Sequence, residues 1–209
     1  DAAGNILIAD SGNNRIRELF DANAMAITYV STAFGPPTLA PNTWIAIKGK
    51  NLVPKNTAAG GAIWSSAPEF AAGRMPTQLG SMSAKVNGKP AYMYFFCSLA
   101  TDLDCYSDQI NVLTSLDNSV GPVQIVLTNG TESSAPFSVD MQPTAPSFLQ
   151  FSVKGYVVAT HTDFSLLGPT SLFAGATTPA EPLETVIVYG VGFGLPATAL
   201  VEGSSSQSA

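Results

Sequence analysis

Two Asn-Gly dipeptides set the strongest limits on how this chain folds. Asn87-Gly88 lies between Met82–Val86 and Pro90–Phe96, and Asn129-Gly130 lies between Pro122–Thr128 and Ala135–Met141. Asn-Gly supplies the positive φ angles that a tight hairpin needs, and β-branched and aromatic residues on either side read as paired strands. Asp108–Leu113 makes a further strand. Regular short strands with turns between them predict an antiparallel β-sandwich. The only two cysteines, Cys97 and Cys105, fall between the two turns. Eight residues apart and bracketing a polar loop, they predict a disulfide that fixes one loop, worth about 2–3 kcal/mol by chain entropy.

Composition fits this reading and excludes several functions. The 209 residues are 45% hydrophobic but only 11% charged, less than half the usual charged share, so Ser, Thr, Asn and Gly keep the surface wet. A net charge of −6 offers no basic stripe to displace phosphate counterions, which argues against nucleic acid and against anionic lipid. A positive mean hydropathy beside so few charges leaves two readings open. Either part of the surface is apolar and covered by another domain or subunit, or the core is large. No segment reaches the ~18 apolar residues that a membrane helix needs. The most apolar run, Val186–Phe193, is broken by Gly190 and Gly192 and reads as a buried strand.

In chain order, a strand over Asn5–Ala9, a polar turn over Asp10–Asn14 and a strand over Arg15–Phe20 open the sequence. The stretch from Gly4 to Arg17 resembles an NHL repeat, the blade unit of a β-propeller. A single blade cannot bury its faces, and no second copy occurs, so residues 1–20 are expected to be the remnant of an upstream propeller. Asp1 opens inside this motif with no signal peptide, as a mature fragment or the ordered part of a longer protein would. Residues 21–39 form a linker containing a short strand at Ala26–Val30 and stiffened by Gly35-Pro36-Pro37.

Residues 40–142 carry the sandwich. Ala40–Leu52 places Trp44, Ala46 and Lys48 on one strand face and Ile45 and Ile47 on the other, then bends at Gly49-Lys50-Asn51-Leu52. This resembles the opening strand of IPT/TIG-type immunoglobulin-like domains. Val86–Ala91, Tyr106–Val112, Gly121–Gly130 and Ala145–Leu149 together resemble an uncharacterised C-terminal domain of large secreted acidobacterial proteins. The resemblance covers roughly Leu39 to Pro196 and implies an all-β immunoglobulin-like fold and an extracellular or cell-surface location. Two departures stand out: Asp108 replaces a proline, and the insert carrying Cys97 and Cys105 is foreign to the pattern.

Residues 143–209 form a second, smaller β unit, with β segments expected at Phe151–His161, Thr185–Gly192 and Val201. The last seven residues read as a linker or loop. The unit looks incomplete, to be finished by residues beyond 209 or by a strand from a neighbouring subunit.

Catalytic and metal-binding patterns are sparse. Asp102, Asp104 and Asp108 put oxygen ligands near the stapled loop but lack the glycine bend and distal Glu of a calcium loop. Asp163, Glu181 and Glu184 are scattered. The one histidine, His161, sits on an expected strand as a rim residue, without a Gly-x-Ser-x-Gly elbow. No cofactor is expected, and Asn129-Gly130-Thr131 matches a glycosylation acceptor. The long stretch Val53–Gln78 carries Trp64, either a recognition residue or, with Phe70, a plug at the end of the sandwich.

Two functions follow as expectations. The first is a non-catalytic structural or adhesive module, a homo-oligomer or filament subunit packed through strand edges or against neighbouring domains. The second is a carbohydrate-binding accessory module that stacks polysaccharide on Trp44, Trp64, Tyr92 and Tyr94.

Overall fold

The computed structural model describes residues 6–19, 23–151 and 155–206. Its regular elements are almost all strands. A hairpin of β1 (Ile6–Asp10) and β2 (Arg15–Leu19) comes first. Then follow β3 (Ala26–Thr32), β4 (Thr38–Leu39), β5 (Trp44–Lys50) and β6 (Ala62–Ile63). A single helical turn, α1 (Pro68–Ala71), precedes β7 (Gln78–Leu79), β8 (Met82–Val86), β9 (Lys89–Pro90) and β10 (Tyr92–Cys97). The central region closes with β11 (Asp108–Leu113), β12 (Gly121–Asn129), β13 (Glu132–Ser133) and β14 (Phe137–Met141).

The strands from β3 to β14 form two sheets. One has the order β3-β5-β11-β10-β6, and the other β4-β14-β12-β8-β7, with β9 and β13 on its flanks. One hydrophobic cluster joins them: Ile45, Ile47, Met93, Ile110 and Val112 from the first sheet meet Met82, Ala84, Val86, Ile125, Leu127 and Met141 from the second. Period-two alternation explains this. Along β5, Ile45 and Ile47 are buried while Trp44, Ala46 and Lys48 face outward, as the sequence predicts. Each fully buried Ile, Leu or Met contributes roughly 1.5–3 kcal/mol, so the cluster is the main source of stability here.

Turn chemistry sets the register. Val86 pairs with Lys89 across Asn87-Gly88, whose φ angles of 52° and 75° are those of a two-residue hairpin loop. The second turn sits one residue later than the dipeptide implies. Asn129 still pairs with Glu132, so Gly130 and Thr131 make the loop.

The remaining strands are short: β15 (Ser147–Phe148), β16 (Ala159–Thr160), β17 (Leu166–Leu167), β18 (Thr177–Thr178), β19 (Ile187–Val188) and β20 (Gly190–Val191). They form a β15-β20 pair and a β18-β17-β16-β19 sheet. Several sequence expectations change here. Phe151–His161 is not one strand, because Gln150 forms an antiparallel bridge to Val157; its residues 152–154 lie outside the described ones. Val186–Phe193 is not a buried strand either. Val191 is buried, but Val188 is 44% and Phe193 63% exposed. Gly192, at φ 80°, accepts from the Ala145 N–H at 2.8 Å, and an added Cβ there would strike the Ala145 carbonyl.

Val201 lies outside any strand, and the segment after it is no free linker. Ser204 bridges Arg74, Met75 donates its N–H to the Gly203 carbonyl at 2.8 Å, and Ser205 donates to Gly73 at 3.0 Å. The Gly203 Cα packs against the Tyr92 ring, where a Cβ would lie 2.9 Å from its nearest atom. Of the last seven residues, 207–209 lie outside the described ones.

Candidate functional site

The outer face of the five-stranded sheet holds an aromatic cluster. β10 breaks period two at a bulge between Met93 and Phe95, which turns both Tyr94 and Phe95 outward. The long excursion after Val53 returns to β10 through β6, and Gly61, at φ 75°, allows that approach because a Cβ would strike the Phe96 carbonyl. The excursion then lays Trp64 and Phe70 over the sheet. Trp64 meets Trp44 at 5.4 Å and Tyr94 at 4.9 Å, both edge-on, and stacks on Phe70 at 4.8 Å. Trp44 and Tyr94 also meet edge-on at 5.4 Å.

Trp44, Trp64 and Tyr94 are therefore brought together, and Tyr92 is not. The Tyr92 ring lies under the 201–203 segment, where burial and the nearby Glu202 raise its pKa. The cluster rings stand at 62–74° to one another, and Phe70 covers one face of Trp64. Stacking on a sugar needs open, roughly coplanar faces. This arrangement instead fastens the excursion to the sheet, each ring pair worth about 0.5–1.5 kcal/mol beyond its burial. It lies on a sheet face, not at the end of the sandwich.

The stapled loop forms a second constellation. Cys97 and Cys105 are disulfide-bonded, with Cα atoms 6.1 Å apart. Asp108, only 8% exposed, accepts hydrogen bonds from the Leu52 N–H at 2.9 Å, the Ser98 hydroxyl at 3.1 Å and the Leu99 N–H at 3.1 Å. Its carboxylate thus holds the first residues of the stapled loop against the bend that ends β5. Asp108 and the cysteine-bearing insert, the two departures from the resembling pattern, form one structural feature.

Asp102 accepts from the Gly60 N–H at 2.9 Å and the Asp104 N–H at 3.0 Å. The acidic residues of the loop therefore engage different stretches of backbone. Among the described residues, no group of three or more His, Cys, Asp or Glu is placed to share a metal ion. The loop's outer tip is apolar, with Leu103 and Tyr106 at 80% and 85% exposure.

Two pairings escaped the sequence reading. Asp117, in the loop before β12, accepts from the Asn87 side chain at 2.9 Å and from the Ser119 hydroxyl at 2.7 Å and N–H at 3.1 Å, with Lys89 Nζ at 3.3 Å. Burial raises its pKa, but the bonds from Asn87, Ser119 and Lys89 outweigh that effect and hold it at about 2. The Asn87-Gly88 hairpin is thereby pinned to a loop thirty residues on. A polar Asp-Asn-Ser run (117–119) was the only trace of this in the sequence.

The second pairing joins His161 to Glu184. His161 Nδ1 contacts the Glu184 carboxylate, and its Nε2 lies 2.8 Å from the Thr178 hydroxyl and 3.2 Å from the Thr178 carbonyl. Hydrogen bonding to Glu184 raises the His161 pKa, and the same bond lowers that of Glu184. The array superficially matches a hydroxyl–imidazole–carboxylate relay. With a carbonyl also facing Nε2, the geometry suits a ring that donates from both nitrogens once protonated. Its chemistry is that of a clamp joining β16, β18 and the segment before β19.

Asn129 is half-buried in β12, and its Oδ1 accepts from the Ser81 hydroxyl at 2.7 Å. Among the described residues, no helix is long and apolar enough to cross a membrane. Comparison with protein-family models, curated proteins and solved structures finds no match.

Proposed function

We propose that this chain is a non-catalytic structural or adhesive module of a secreted or cell-surface protein, built on an immunoglobulin-like sandwich and assembled through open strand edges. Strand order supports the fold assignment. β3 runs antiparallel beside β5 while β4 runs parallel beside β14, so the chain enters one sheet and then switches to the other. The orders β3-β5-β11-β10 and β4-β14-β12-β8 support an immunoglobulin-like reading in which the first strand is shared between sheets. The disulfide supports an oxidising compartment. Asp108, Asp117 and the His161–Glu184 pair all bind the chain's own backbone and side chains, a pattern that suits a scaffold.

One observation carries the assembly reading. Apolar side chains remain open on short, edge-forming β elements towards both ends of the chain, among them Leu7, Ile8, Ile16 and Val188. Light scattering and negative-stain imaging over a wide concentration range test this. Concentration-dependent particles or filaments are expected, and a stable monomer at high concentration would overturn it. Affinity gels with polysaccharides serve as the counter-test. Retardation that disappears in Trp64→Ala would instead establish a carbohydrate-binding module.

A further inference from the structure

From Leu195 to Ala199 every residue is exposed, and then burial returns: Leu200 is half-buried and Gly203 buried. The change marks a contact with the sandwich. Residues 200–203 lie in a groove walled by Asn42, Met75, Tyr92, Thr114 and Leu116. The space left between them is about 10 Å³, room for one water at most, so the segment fills the groove.

One wall is a backbone edge. Arg74 and Ser204 form an antiparallel bridge with both flanking bonds made. The Met75 N–H donates to the Gly203 carbonyl at 2.8 Å, and the Ser205 N–H to the Gly73 carbonyl at 3.0 Å. The wall itself is fastened to the sheet, because the Met93 N–H donates to the Pro76 carbonyl at 2.7 Å. A second wall engages a side chain: Glu202 accepts from the Leu116 N–H at 3.1 Å. The next position must have no side chain. Gly203 stands at φ 76°, and a Cβ there would lie 2.9 Å from the Tyr92 ring. Backbone pairing thus supplies affinity and the acid–glycine pair supplies selectivity, the division of labour seen when a strand is added to a sheet edge.

The region behind this contact depends on it. Beyond Met141 the described residues bury few apolar side chains, chiefly Leu172 and Val191 with two alanines. Near the start of that region the Ser147 hydroxyl bonds the Ala33 carbonyl, and at 200–206 the groove holds it again. We infer that the groove is a recognition site for an extended acid–glycine segment, and that residues 200–206 of the same chain are its resident occupant, latching the 143–206 region to the sandwich. The contact lies within one molecule, so it stands apart from the assembly proposed above.

The test compares the full chain with its Gly203→Val variant by residue-resolved amide hydrogen exchange. Gly203 lies outside the hydrophobic core, so the sandwich is expected to stay folded, with the amides of β5, β11 and β12 as the check. The Met75 and Leu116 N–H groups should exchange on the order of tenfold faster in the variant. A synthetic peptide of residues 199–206 in millimolar excess should restore their protection in the variant and change nothing in wild type, whose groove is filled. The same peptide carrying Gly203→Val should restore nothing. Unchanged exchange at Met75 and Leu116 in the variant overturns the latch, and two peptides that act alike, or both fail, overturn the recognition. Glu202→Ala, at an exposed position, should speed exchange at Leu116, and unchanged exchange there overturns the acidic half of the proposal.

Discussion

Replacing Asp117 with Asn should weaken the fold at neutral pH and remove part of its acid sensitivity. The Asp117 side chain is 7% exposed and its pKa is lowered from an ordinary 3.8 to about 2. A depression of that size corresponds to roughly 2 kcal/mol of folding free energy once the group is ionised, since each unit is worth about 1.4 kcal/mol. The sign follows from the direction. A carboxyl whose pKa is lower in the folded than in the unfolded chain contributes fully above about pH 4, and the contribution fades as pH falls towards 2. Asp117→Asn keeps the side-chain volume but loses the charge. Asp117→Ala also leaves one Asn87 N–H and the Ser119 donors without this acceptor, which adds about 1–3 kcal/mol. Urea unfolding followed by fluorescence of Trp44 and Trp64, at pH 7, 4 and 2.5, measures both effects. Asn should lie about 2 kcal/mol below wild type at pH 7, with the gap narrowing at pH 2.5. A gap under about 0.5 kcal/mol at pH 7, or one that stays constant down to pH 2.5, would refute the account of how this hairpin is held.

Four further outcomes are expected. Replacing Cys97 and Cys105 with Ser should lower stability by about 2.5 kcal/mol, the chain-entropy value for so short a loop, with the core unchanged by near-ultraviolet circular dichroism. Asp108→Ala leaves two backbone N–H groups and a buried hydroxyl without their acceptor and should cost at least about 2 kcal/mol, while Asp108→Asn retains part of it by urea titration. Trp64→Ala should release the excursion across the outer sheet face, seen as new protease cleavage between Val53 and Gln78 while the sandwich stays folded. The His161–Glu184 clamp should be fully present below pH 6.5, the ordinary histidine value, and fade as pH rises through the raised pKa of the folded state. His161→Gln should flatten that pH dependence in thermal melts of the 143–206 region.

How much was readable from the sequence depended on how local the cause was. Asn87-Gly88 announced its turn because two adjacent residues set both φ angles. The inward and outward faces of β5 were legible for the same reason, since alternation is a property of neighbours along the strand. The disulfide followed from a short loop bearing the only two cysteines. The cluster of Trp44, Trp64, Tyr94 and Phe70 was visible only as isolated aromatics, because the bulge that re-aims Tyr94 depends on β11, which pairs with it across the sheet. Asp117 and Glu184 were invisible as partners, since each meets its counterpart across 23 to 30 residues of intervening chain. The reading of Val186–Phe193 as buried failed for a related reason. Hydrophobicity says that a run seeks burial, but not whether the same chain supplies the cover.

Whether a neighbouring copy supplies that cover can be measured. Amide hydrogen exchange of the full chain at low and high concentration tests it directly, because a docked strand protects backbone N–H groups at the edge that receives it. The account predicts that amides in β1, β2 and β19 gain protection as concentration rises, while those of β5, β11 and β12 do not change. Assembly without added protection in those strands would contradict it.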